Sequence, residues 1–216
     1  TLDTASENLK KQSGNFSDLT GAYGIKYDTR NRSFRPTEGS IIYFNQALPI
    51  YADKQSISNS LSVSKYNTLS ENAVLGSKLL ISTITGVGDD DVRLSKRKNL
   101  SSRRLRGFEK NKIGPVDGTD HIGGNYTAAA NLELNLPKIL PSTSNADIGL
   151  FLDAGNVWGV DYDSSIDDSN KIRSSFGAAL NWTSPIGPLS FTMSQNLSKA
   201  KTDKTESFNF NLGTTF

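Results

Sequence analysis

Alternation of apolar and polar residues with a period of two is the feature that most constrains this chain. It is clearest near the C-terminus, where Phe208, Phe210, Leu212 and Phe216 share one parity and polar residues occupy the other. The same pattern recurs around residues 23–27, 57–64, 126–136, 146–155, 172–182 and 189–194, while 40–48 and 73–84 are more evenly apolar. Period two is typical of a strand with two different faces, so the sequence predicts an all-β chain of about nine strands.

Composition indicates which kind of β protein this is. Hydrophobic residues make up 35% of the chain, and the mean hydropathy is −0.44. A transmembrane barrel accounts for both values, because each strand exposes only every second residue to lipid and keeps its inner face polar. No run approaches the roughly 18 apolar residues of a spanning helix. The net charge of +2 gives no reason to expect a nucleic-acid partner.

The connections between the predicted strands alternate in length. Residues 86–122, 159–171 and 197–206 are long and charged, whereas the turn at 183–188 is short and contains two prolines. Outer-membrane barrels have short periplasmic turns and long outer loops. The sequence therefore predicts an antiparallel up-and-down meander, with Phe216 at the periplasmic rim. A soluble β-sandwich is the alternative fold, since its strands alternate too.

The chain begins at Thr1 and has no signal peptide, so we expect a part of a longer protein. Residues 1–15 are interpreted as the remnant of an extracellular loop, and residues 207–216 as the terminal strand of the barrel. A barrel needs all its strands to close, so this part alone is expected to form a curved open sheet with two free edges.

The connection 86–122 contains the sequence Leu105-Arg106-Gly107-Phe108. Together with the ordered segments that follow it through residue 216, and with residues 24–39 upstream, this motif resembles the BamA superfamily of outer-membrane proteins. We call residues 86–122 the RGF loop. The chain departs from the family just before the motif, where a Gly-Gly pair is usual and residues 99–102 read Asn-Leu-Ser-Ser.

The resemblance implies where the RGF loop lies and what it contacts. In the family this loop folds into the lumen, and its arginine meets an aromatic-x-Asp-x-Gly motif on a nearby strand. The matching residues here are Phe151, Asp153 and Gly155, which the alternation places on the polar parity. We therefore expect Arg106 to pair with Asp153, with Gly107 and Phe108 beside it. In a wet lumen the energy of such a pair would be about 1 kcal/mol.

No catalytic residue, metal ligand set or cofactor site is predicted. Asp161, Asp163, Asp167 and Asp168 lack the glycine and closing glutamate of a calcium loop, and we interpret them as part of a solvated outer loop. His121 has no nucleophile motif near it. We therefore do not expect an enzyme.

The resemblance implies a function in the bacterial outer membrane. Family members insert and fold client barrel proteins there, through a seam between their own first and last strands. The expected partners are therefore the client barrels, the lipoproteins of an assembly complex and the bilayer. The strand ending in Phe216 also resembles the signal that this machinery reads on new barrels. Two alternatives remain open at this point: a sister transporter for translocation or two-partner secretion, and a passive channel.

Overall fold

The computed structural model describes residues 5–141, 145–166, 171–185 and 187–212. In these ranges the chain forms a nine-stranded sheet, a two-stranded hairpin, one α-helix and two short 3-10 helices, Leu94–Lys96 and Ser164–Ile166. The helix is α1 (Glu7–Lys11), and the strands are β1 (Asp18–Asp28), β2 (Gly39–Ala52), β3 (Ser56–Ser70), β4 (Ala73–Gly86), β5 (Val116–Asp117), β6 (Asp120–His121), β7 (Tyr126–Leu136), β8 (Ala146–Trp158), β9 (Arg173–Ser184), β10 (Gly187–Ser198) and β11 (Phe208–Leu212).

The large sheet is an antiparallel meander in the order β1-β2-β3-β4-β7-β8-β9-β10-β11. Every strand pairs with the next one along the chain, apart from the inserted β5–β6 hairpin, and β1 and β11 lie at the two edges. The predicted open, up-and-down sheet of about nine strands is confirmed. Of the predicted terminal strand 207–216, β11 covers Phe208–Leu212, and Phe216 lies outside the described residues.

The two faces of the sheet differ as the alternation predicts. On β8, Leu150 and Leu152 are 48% and 46% exposed, whereas Phe151 and Asp153 are 5% and 0% exposed. On β11, the side chains of Phe208, Phe210 and Leu212 are likewise exposed. One face therefore presents apolar side chains outward, and the other face is covered from within the chain.

The RGF loop covers the inner face. Its residues Leu100, Leu105, Phe108 and Ile113 are buried in one cluster with Ala129 of β7 and Val157 of β8. The main apolar core thus lies between a loop and the wall of the sheet. The loop also contains short elements that the sequence did not predict, the 3-10 helix and the β5–β6 hairpin, since segments of two or three residues are too short to show a period.

The segment before β1, predicted as a loop remnant, contains α1. Ser6 caps this helix by accepting a hydrogen bond from the Leu9 amide at 3.2 Å. Leu9 is buried against Ile122 of the RGF loop and Val160, which follows β8. No helix in the described ranges is long and apolar enough to cross a membrane.

The difference between the faces predicts opposite responses to a new charge on β7. Leu132 faces outward at mid-strand and is 47% exposed, so Leu132→Arg would place a charge in lipid. We expect this to lower the free energy of unfolding in bilayers by about 2–4 kcal/mol. The control is Asn135→Arg, because Asn135 lines an inner cavity of about 350 Å³. Urea titration in bilayers measures the free energy of unfolding of both variants. An equal loss of free energy in the two variants would contradict the assignment of faces.

Candidate functional site

The structure brings Arg106 of the RGF loop onto Asp153 of β8. Arg106 Nε donates to Asp153 Oδ2 and Nη2 donates to Oδ1, each at 2.7 Å. The Arg106 backbone amide adds a third bond to Oδ2, at 3.1 Å. Two parallel bonds from a planar guanidinium fix orientation as well as distance. The arginine is therefore held in one pose on the inner wall.

Two further side chains complete the surroundings of the guanidinium. Arg106 Nη1 donates to Glu133 Oε2 of β7 at 3.0 Å, and the Phe151 ring lies with its centroid 3.6 Å from Arg106 Cζ. Register explains this grouping, because Glu133 is paired with Phe151 across β7 and β8. We call Arg106, Glu133, Phe151 and Asp153 the anchor site.

Asn131 supports the anchor site from β7. Its Nδ2 donates to Asp153 Oδ1 and to the Arg104 carbonyl, both at 2.8 Å. Sequence reasoning missed Asn131 and Glu133, although both lie on the inward parity of β7. Their parity was the available signal, but it does not reveal which residues lie opposite Asp153, since that depends on the register between strands.

The anchor site is largely buried, and this determines what the loss of one partner would cost. The Arg106 and Asp153 side chains are 12% and 0% exposed. Burial alone lowers the pKa of Arg106, but hydrogen bonds and charges from Asp153 and Glu133 outweigh it, and the pKa is raised. Removing one partner would strand a buried charge, at a cost of about 3–5 kcal/mol. The direct energy of the intact pair, expected to be about 1 kcal/mol, is a different quantity and stays a prediction.

The tip of the RGF loop also contacts β9 and β10. Ser175 Oγ donates to the Arg106 carbonyl, and Asn196 Nδ2 donates to the Gly107 carbonyl at 2.9 Å. Gly107 has φ +90°, and a Cβ there would lie 3.1–3.2 Å from atoms of Asn196, Ser175 and Ser194. Phe108 is 2% exposed in the core beneath the loop. The motif thus combines the charged contact of Arg106, the close backbone approach at Gly107 and the buried apolar side chain of Phe108.

Gly155 of β8 allows the ascending limb of the loop to pack. A Cβ at this position would lie 2.9 Å from Leu100 Cδ1 and 3.0 Å from the Ala128 carbonyl oxygen. Leu100 belongs to the segment where the sequence departs from the family pattern. The departure therefore leaves the loop in close contact with the wall.

Asp161 has a structural role that sequence reasoning missed. It bonds to the buried Arg97 of the RGF loop and accepts from the Val92 amide at 2.6 Å and from Asn125 Nδ2 at 3.2 Å. Burial raises the pKa of Asp161, but these bonds and the Arg97 charge lower it by more, so the net shift of the pKa is downward. This carboxylate, interpreted from sequence as solvated, fixes the outer part of the RGF loop. Its neighbours Asp167 and Asp168 lie outside the described residues.

The geometry at Gly107 predicts a specific response to a methyl group. Gly107→Ala combines strain at positive φ, about 1–3 kcal/mol, with crowding. We expect faster amide hydrogen exchange across residues 105–113. Gly88→Ala is the control, because Gly88 also has positive φ, +66°, but has nothing within 4 Å of its Cβ position. Equal exchange in both variants would contradict the close approach at Gly107.

Comparison with known proteins agrees with the resemblance. A family model described as the Omp85 superfamily domain matches residues 2–216. The outer membrane protein assembly factor BamA of Neorickettsia risticii is 27% identical over 98% of this chain and 29% of its own length. The sorting and assembly machinery component 50 homolog of Mus musculus is 28% identical over 74% of this chain and 36% of its own.

Solved structures agree as well. The crystal structure of BamA from Haemophilus ducreyi lacking POTRA domains 1–3 superposes with a TM-score of 0.82 at 29% identity, covering 89% of this chain and 41% of that one. The chain spans less than a third of the first of these curated relatives. Because the family model covers residues 2–216, the chain belongs to the Omp85 superfamily.

Proposed function

We propose that the protein containing this chain inserts and folds β-barrel proteins in the bacterial outer membrane. The observation that carries the proposal is the buried anchor site, where Arg106 holds the RGF loop on the wall by paired bonds to Asp153. The proposal is supported by relatives named outer membrane protein assembly factor and sorting and assembly machinery component. The work is done by strand pairing and packing, without covalent chemistry or a cofactor.

The sheet edge at β11 is the working surface in this proposal. β11 pairs with β10 on one side, through Phe208 opposite Met193 and Phe210 opposite Phe191, and its other side faces no strand in the described ranges. An unpaired edge offers backbone donors and acceptors that a new strand can join. In lipid such an edge is costly, so a seam that opens favours strand addition. We infer that client strands add where this edge opens.

The RGF loop stiffens the wall beside that edge. It is bonded to β7 and β8 through the anchor site, and to β9 and β10 through Ser175 and Asn196. Four consecutive strands next to β11 are therefore tied to one loop. A stiff wall confines opening to the seam, which is how we infer that the loop supports assembly.

The alternatives are less well supported. A passive channel needs an open lumen, whereas the RGF loop packs apolar residues such as Leu105 and Phe108 against the inner wall. A sister secretion transporter is less favoured, because the relatives described above are named as assembly factors or assembly machinery components. The outer-membrane bilayer, client barrels and lipoproteins of an assembly complex are the partners that we propose for the whole protein.

Charge changes at the anchor site test the proposal. In the full-length protein in liposomes, we expect Arg106→Glu or Asp153→Arg to abolish most folding of an added barrel substrate. The folded fraction of the substrate is measured by its heat-modifiable migration on a gel. Arg106→Lys is expected to retain little of this folding activity, because an ammonium lacks the planar fork of a guanidinium.

The double swap is expected to recover only part of the activity, because Glu133 would then face a second carboxylate. Adding Glu133→Gln to the swap is expected to recover more. Reversing both charges of the Lys138–Glu71 pair is the control, since those side chains are 57% and 89% exposed. Full activity in Asp153→Arg would contradict the proposal.

A further inference from the structure

The connection between β10 and β11, residues 199–207, lies against the RGF loop. The Glu109 amide donates to the Lys204 carbonyl and the Lys204 amide donates to the Lys112 carbonyl, both at 3.0 Å. The Glu206 amide donates to the Gly107 carbonyl at 3.2 Å, and Phe108 and Thr205 form an antiparallel bridge. We call residues 199–207 the terminal connection. It adds a short second ladder to the residues that follow Arg106.

A fully buried ion pair attaches the terminal connection to β9. Arg173, the first residue of β9, donates from Nη2 to Asp203 Oδ1 at 2.9 Å and from Nε to Oδ2 at 3.0 Å. Both side chains are 0% exposed. The same guanidinium bonds to Asn156 of β8 and to the Lys171 carbonyl, and Asp203 Oδ2 accepts from the Ala200 amide at 2.6 Å. The carboxylate thus shapes the connection that it anchors.

We propose that Arg173 and Asp203 are positioning residues that hold the terminal connection on the RGF loop, so that the outer end of β11 and the anchor site move as one body. This inference rests on the proposed function, because it assigns the pair to control of the seam strand. Neither residue contacts a client strand in this account. They act through the backbone ladder between the two connections.

The short distance along the chain makes the coupling stiff. Gly107, which follows Arg106 directly, accepts from the Glu206 amide, and β11 begins at Phe208. Two residues of extended chain span at most about 7 Å, so little slack separates the ladder from the strand. Ser194 of β10 adds a further tie, since its amide donates to the Ser207 carbonyl at 2.9 Å. Opening of β11 at its outer end must therefore break the ladder or carry the RGF loop with it.

Because the ion pair is buried, it determines whether the exposed backbone bonds of the ladder stay formed. The ladder residues Glu109 and Lys204 are themselves exposed, and exposed backbone bonds exchange readily with water. A buried ion pair is rigid as long as both partners are present, and loss of one strands the other charge. We therefore expect the ladder to persist while Arg173 and Asp203 are paired, and to open when they are not.

Spin-label distances measure the coupling directly. The chain contains no cysteine, so Lys110→Cys and Lys201→Cys, both at exposed positions, place one label on the RGF loop and one on the terminal connection. In the full-length protein in bilayers, pulsed electron resonance is expected to give one narrow distance. Asp203→Asn is expected to broaden the distribution and to remove most assembly of a barrel substrate.

Two comparisons separate positioning from general stability. Asp161→Asn breaks a different ion pair of the RGF loop, Arg97–Asp161, and is expected to leave the distance narrow. Glu206→Pro removes an amide of the ladder three residues beyond Asp203 and leaves both side chains of the buried pair in place, so it is expected to broaden the distance even if Asp203→Asn fails to fold.

A disulfide tests whether the lost contact itself matters for assembly. Glu109 and Lys204 are joined by one backbone hydrogen bond next to the Phe108–Thr205 bridge, so cysteines at both positions are expected to lie within the roughly 4.4–6.8 Å Cα separation that a disulfide accepts. Oxidation in the Asp203→Asn background is expected to restore most assembly, and reduction to remove it again. A narrow distance in both Asp203→Asn and Glu206→Pro, or no recovery on oxidation, would overturn the inference. A parent protein that shows the distance changes but assembles no substrate would overturn the proposed function and leave the coupling supported.

Discussion

A carboxylate buried in the wall of a sheet requires a cation, and this requirement organises the structure. Asp153 is 0% exposed on the inner face of β8, where it accepts four hydrogen bonds, three from Arg106 and one from Asn131. A charge in this environment is stable only when it is paired and its lone pairs are satisfied. The arginine comes from a loop rather than from a strand, so the loop has to enter the barrel to supply it.

The path of that loop then determines the packing of the rest. In a β-sandwich a second sheet covers the apolar inner residues, whereas here Leu100, Leu105 and Phe108 of the RGF loop cover Ala129 and Val157. The outer face needs no protein cover, because lipid is its solvent. The loop is therefore both the second layer of the core and the carrier of the charged contact. Loosening the one loosens the other.

The sequence predicted the strands and the inward side chains because alternation is a local property. It placed Asp153 on the inner face, and the resemblance paired it with Arg106. It did not predict Glu133, or the partners Asp161 and Asp203 of two other buried arginines, because such contacts depend on register and on loops that meet only in three dimensions. The direct energy of the Arg106–Asp153 pair stays a prediction too, because burial alone does not give the net energy of an ion pair. The account of Phe216 stays a prediction.

The most direct test of the central claim is solid-state NMR of the full-length protein in bilayers, with labelled arginine and aspartate. The measurement is the through-space transfer from the guanidinium nitrogens of Arg106 to the carboxyl carbon of Asp153, assigned by its loss in Asp153→Asn. The account predicts a strong cross-peak from two nitrogens to that one carbon, because Nε and Nη2 each lie 2.7 Å from an Asp153 oxygen. A resting protein in which this cross-peak is absent, while the β-sheet resonances are intact, would contradict the claim that the arginine anchors the loop to the wall.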